Sequence, residues 1–304
     1  MWRRIGWCVL GSACMALSAH VAQAITVDGK LDVSYTLLST QTTQTSPGPD
    51  AASGQADFAT GSELDAAWAA VDQGVLYLFF AGNLKDTICG TQACSDIGVL
   101  EVFIDSQPGG QNQLLGNSPA GLPIAGLTFD PGFAPDYVVE FYPGGALDNS
   151  FRRFAQYGTL PTGGGGASVF LGSGTNPGAP GTLSGGTNPF GIQATIDNSN
   201  TGGVTAGCLA GSGAGVSTGV ELAIPLAGIG NPGGCLTVNA IALNPVNSTA
   251  TNQVLGPVPP GTCSLGAPSA VNFAGIPGDQ FFSVCPGATP ARRSTWGGVK
   301  AVYR

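Results

Sequence analysis

The chain has very little of the residue that most hydrolytic and zinc chemistry relies on. Histidine occurs once, as His20, and methionine twice, as Met1 and Met15. All three lie in the opening MWRRIGWCVLGSACMALSAHVAQA, where Arg3 and Arg4, a short broken apolar run and an Ala22-Gln23-Ala24 cleavage site read as a secretory signal peptide over residues 1–24. The expected mature chain, 25–304, therefore has no histidine. That excludes Ser-His-Asp and Cys-His mechanisms, and it excludes the imidazole ligands of most catalytic zinc sites. Charge is scarce as well, at 9% of the chain, with 10 basic residues against 18 acidic ones. Cleavage would remove two arginines and take the net charge from −8 to −10. With no basic cluster larger than an arginine pair, neither nucleic acid nor an anionic membrane surface is an expected partner, and no membrane insertion is expected after cleavage.

Six cysteines remain after the leader: Cys89, Cys94, Cys208, Cys235, Cys263 and Cys285. An even count in an exported chain without histidine points to disulfides rather than metal ligands. Closeness along the chain favours Cys89–Cys94, Cys208–Cys235 and Cys263–Cys285. Such staples suit a chain with 49 glycines, whose unfolded state has much backbone freedom to lose.

Short apolar runs closed by Gly, Asn or Asp dominate the rest. VLYLFFAGNLK and VLEVFIDS read as neighbouring strands of a buried sheet. In the second, Leu100, Val102 and Ile104 face a core, and Glu101, Phe103 and Asp105 face the other way. YVVEFY alternates in the same manner around Glu140. The segment Glu63 to Val71 is read as a strand despite its helix-like composition, followed by a tight turn at Asp72-Gln73-Gly74. Further strands are expected at Phe151–Tyr157, GVELAIP, CLTVNAIALNP and WGGVKAVYR. From about 160 to 215 the composition turns to Gly, Ser, Thr, Asn and Pro, which predicts long surface loops threaded by short strands such as Ala167–Leu171 and Gly191–Ile196. The fold class that follows is all-β: one two-sheet antiparallel β-sandwich of jelly-roll type over 25–304, with long Gly-rich loops.

VDGKLD, the LDAAW-to-AGNL stretch, EVFIDSQPGGQN, TFDPGFAPDY and ELAIPLAGIG, read in that order, resemble the β-sandwich of family 9 carbohydrate-binding modules and DOMON-like domains. The chain is closer still to exported bacterial proteins that often carry PEP-CTERM sorting tails. These share FIDS..GGQN, FD.GFAPDY, a late SNQVL-like motif, here Thr251 to Leu255, and a GDQYF-like end, here Gly278 to Phe282. The ending VKAVYR lacks the sorting tail, so free secretion is the expected localisation.

Oxygen donors cluster in the motifs that carry this resemblance, at Asp105, Asn112, Asp130 and Asp136. Calcium takes six to eight oxygens, and the turn at Gly109-Gly110 would let carbonyls point inward. The resemblance implies a structural calcium; the same residues could equally cap turns by bonding to nearby backbone. For ligand binding the candidates are Glu101, Glu140, Tyr142 and Trp296, aromatic faces being suited to the apolar face of a sugar ring. Trp68, among Ala and Leu, reads as core. The expected function is a non-enzymatic secreted binding module for a glycan or other extracellular polymer, with a structural cell-surface or matrix protein as the alternative. A glycoside hydrolase using Glu101 and Glu140 as acid and base ranks below both, since those carboxylates could simply be solvated or paired with Arg152 or Arg153.

Overall fold

The computed structural model describes residues 24–41, 62–85, 98–144, 152–175, 180–200, 215–244, 248–262 and 264–286. The strands are β1 (Thr36–Thr40), β2 (Glu63–Asp72), β3 (Val75–Asn83), β4 (Val99–Asp105), β5 (Tyr137–Tyr142), β6 (Arg152–Thr159), β7 (Ser168–Thr175), β8 (Ser184–Gly185), β9 (Gln193–Ile196), β10 (Gly219–Pro225), β11 (Leu236–Asn244), β12 (Thr249–Val254), β13 (Ser264–Gly266) and β14 (Phe282–Val284). Two antiparallel sheets stack face to face. The first runs β1-β2-β3-β10-β9 and the second β13-β12-β11-β4-β5-β6-β7-β8, with β14 lying beyond β12 along the same edge of β11.

The segment Glu63–Asp72 is indeed a strand. Gln73 and Gly74, at φ 47° and 79°, form a two-residue turn that brings Asp72 opposite Val75, the geometry that matches strand twist in a hairpin. Ala67 and Ala69 then lie on the face that Leu76, Leu78 and Phe80 bury against the second sheet. From the other side come Leu100, Val102 and Ile104 of β4, Val139 and Phe141 of β5, and Val238, Ala240 and Ala242 of β11. Trp68 points out of this core and is half-buried with Tyr35 and Phe79 on the outer face of the first sheet.

Over β4, β5, β11 and β12 the reverse face of the second sheet is covered, which corrects the reading of Glu101 and Glu140 as solvated carboxylates. A layer of loops from 111–133 and 258–276 covers it with a second apolar core of Phe103, Phe129, Phe133, Val138, Ile241, Val254 and Phe273. Thr128 bridges Gln113 on one side and Asn272 on the other, which ties the layer together. Gly110, at φ 77°, sits where a side chain would run into the Ala134 carbonyl, so glycine there lets the layer close.

One disulfide joins the described residues, and it departs from nearest-neighbour pairing. Cys235 is bonded to Cys285, with Cα atoms 4.0 Å apart. The reason is register: β14 pairs with β11 so that Leu236 faces Val284, and the next residues outward are the two cysteines. Sequence distance was a poor guide because the sheet brings residues 50 apart together. This pairing rules out both Cys208–Cys235 and Cys263–Cys285. Cys89, Cys94, Cys208 and Cys263 lie outside the described residues, as do Trp296 and the strand expected at WGGVKAVYR.

Candidate functional site

All four glutamates of the chain, Glu63, Glu101, Glu140 and Glu221, sit in strands with a relative exposure of 0%. Ionised carboxylates are expensive to bury, so each must be neutralised or supplied with donors. The structure treats them differently.

Glu101 and Glu140 are directly opposite on β4 and β5, facing the loop layer. Glu140 accepts the Ser118 hydroxyl at 2.8 Å, the Ala120 N–H at 2.6 Å and the Tyr142 hydroxyl at 2.9 Å. Glu101 accepts from no N–H or hydroxyl and lies directly across the strand pair from Glu140. Burial first, then the charge of Glu140, pushes Glu101 far above the usual carboxylate range. Burial also raises Glu140, against the three donors that favour its ionised form. The donors around Glu140 favour its charged form, while nothing but burial and the neighbouring acid acts on Glu101, which favours its neutral form. Arg153 does not neutralise it. That guanidinium lies on the opposite face of β6 and donates from Nε to the Ala194 carbonyl of the facing sheet at 2.6 Å.

Glu140 also holds a loop in place. Ser118 Oγ accepts the Leu122 N–H, and the Ser118 N–H donates to the Leu122 carbonyl, so the turn 118–122 is latched at one point onto β5. The same loop forms one wall of a cleft of about 220 Å³. Its floor is one cross-strand row, Val138–Gly158–Ser168, on β5, β6 and β7. Asn117 and Pro119 stand on one side and the glycine-rich β6–β7 connection, with Gly165 and Gly166, on the other. Gly158 has no side chain for a reason: a Cβ there would meet Pro119 at 2.9 Å.

Beyond the floor the same face continues outward. The next row is Glu140–Gln156–Phe170 and the one after it begins Tyr142–Phe154. Tyr142 stacks on Phe154 with centroids 4.1 Å apart and planes 14° from parallel, and Phe154 leads on to Phe170 at 6.3 Å. Burial falls steadily along this run, from Tyr142 at 8% exposed through half-buried Phe154 to Phe170 at 42%. An open strip of aromatic faces and a side-chain amide therefore adjoins the cleft. Of the expected ligand-binding set, Glu101, Glu140 and Tyr142 come together, but beneath this surface rather than on it.

The four residues expected to bind calcium also gather in one region, each bonded to backbone. Asp105 accepts the Ala134 N–H, Asp136 accepts the Ser106 and Gln107 N–H groups, and Asp130 accepts the Gln280 N–H. Asn112 turns its amide N–H groups to the carbonyls of Phe129, Asp130 and Phe133. They knot the loop layer to β4 and β5.

Sequence reasoning missed Ser118, Phe154, Gln156 and Phe170, whose significance depends on which strands become neighbours. It also missed the third buried glutamate. Glu221 accepts the Asp28 and Gly29 N–H groups at 2.7 and 2.8 Å and the Tyr35 hydroxyl at 2.6 Å, fastening the VDGKLD turn to β10. A signal was present: three of the four glutamates sit in the frames VLEVF, VVEFY and GVELAI, where apolar neighbours on both sides are unusual for a solvated acid. No family model, curated protein or solved structure matches this chain.

Proposed function

We propose that the protein is a secreted, non-enzymatic module that binds a glycan or another hydroxyl-rich extracellular polymer along the outer face of β5–β7. The observation that carries this reading is the continuity of the Phe170–Gln156–Phe154 strip with the cleft above Val138, Gly158 and Ser168. Aromatic faces accept the apolar face of a sugar ring, and the side chains of Asn117, Gln156 and Ser168 supply the few polar groups that fix orientation. The cleft is smaller than the roughly 300 Å³ at which drug-sized pockets begin, so it suits one ring or a chain end while the strip takes the rest. The non-enzymatic part is supported by the Glu101–Glu140 pair. Glycosidase carboxyls stand about 5 Å or more apart across the scissile bond, whereas these two are direct cross-strand neighbours with no exposed surface under a covering loop. Export is supported by the Cys235–Cys285 bond, which suits an oxidising compartment.

The test is a glycan array on purified residues 25–304, followed by calorimetry on any hit with wild type, Phe170→Ala and Ser168→Trp. The expected result is a hit that both variants weaken at least tenfold with unchanged melting temperatures. An array without hits, or a hit indifferent to both changes, would refute the assignment of this face.

A further inference from the structure

We propose that Glu63, Asp65 and Gln41, where β1 meets β2, form a binding site for a divalent cation of calcium type. This is independent of the polymer-binding reading and distinct from the Asp105 region. Glu63 and Asp65 flank Leu64, and a bulge in the β2–β3 register leaves Asp65 without a cross-strand partner on β3. The Asp65 carbonyl turns instead to the Gln41 N–H, at 2.8 Å, which pins Gln41 beside the two acids. Gln41 Nε2 is spent on the Asn252 carbonyl and Gln253 Oε1, and that fixes its amide orientation because the opposite one would set oxygen against oxygen.

What remains is a set of buried oxygens without donors. Glu63 Oε1 and Oε2, Asp65 Oδ1 and Oδ2, and Gln41 Oε1 all accept no hydrogen bond, and the three residues are 0%, 2% and 3% exposed. Among the described residues, no basic side chain is a resolved influence on either acid. A proton between the carboxyls would serve two of the five oxygens. A divalent cation would serve all five and cancel both charges. Calcium accepts bidentate carboxylates and amide carbonyls in a flexible shell of six to eight oxygens, while magnesium insists on an octahedron and gives up its water reluctantly, so the buried site favours calcium. Among the described residues no three His, Cys, Asp or Glu side chains converge as a metal site; this one rests on two carboxylates and a neutral oxygen.

The experiment is calorimetric titration of CaCl₂ into chelator-stripped residues 25–304, together with Tb³⁺ luminescence excited through Trp68 on the same strand. Expected are saturable calcium binding and terbium emission that Trp68→Phe abolishes. Glu63→Gln and Asp65→Asn should each lose the calcium-dependent rise in melting temperature, and Asp105→Asn should keep it. Absence of binding to wild type would overturn the proposal, and so would binding lost in Asp105→Asn but kept in Glu63→Gln. The wild-type titration and the Asp105→Asn variant decide the matter even where a substitution at Glu63 or Asp65 prevents folding.

Discussion

Glu101 and Glu140 face each other across β4 and β5 with no exposed surface. Both are raised above the ordinary 4.5 by burial, so between that value and their folded values the native chain holds protons that the unfolded chain releases. Stability therefore falls as pH rises from about 4.5, with a limiting slope of about 1.4 kcal/mol per pH unit for each extra proton held. Glu101→Gln removes one such proton and can still donate an amide N–H to Glu140. Urea unfolding at pH 5 to 8 should give a shallower decline for this variant than for wild type, and parallel declines would show that Glu101 holds no such proton.

The Glu221 carboxyl, pushed up to about 7 by burial against the Tyr35, Gly29 and Asp28 donors, gives a second pH-dependent contact. Its native form also retains a proton above pH 4.5, so its contribution declines from there to about 7 and is level beyond. Tyr35→Phe removes the hydroxyl donor and should cost about 2 kcal/mol at pH 8, the range of a hydrogen bond to a charged group. Hydrogen exchange should show the Asp28 and Gly29 amides losing protection along with it. Full protection in the variant would mean that the turn is held by something other than Glu221.

Reduction of Cys235–Cys285 opens a covalent loop with a sequence separation of 50 residues. The chain-entropy relation puts the loss at about 4 kcal/mol. Cys235→Ser with Cys285→Ser should lower the urea midpoint, and the slope against urea should not fall, because the unfolded chain without the cross-link is more expanded. Peptide mapping without reductant should recover the two cysteines in one linked fragment, and recovery of Cys208–Cys235 or Cys263–Cys285 fragments would contradict the β11–β14 register.

The sequence by itself determined the class of fold and the strands with the clearest apolar patterning, though not β8, β12, β13 or β14. Alternation in VLEVFIDS and YVVEFY, the turn at Asp72-Gln73-Gly74 and the stop at Pro225 are local properties, and each appears where local rules place it. Alternation reveals that a strand has two faces; it does not reveal what covers the second one. Whether Glu101 meets water or a loop depended on residues 111–133 and 258–276 folding back over the sheet, a contact between segments more than a hundred residues apart in sequence. The same holds for Cys235 and Cys285, for Gln41 beside Asp65, and for the row that sets Val138, Gly158 and Ser168 side by side. Register between distant strands is fixed by the packing of the whole sandwich, so only the tertiary structure could decide which acids are buried side by side and which face remains exposed.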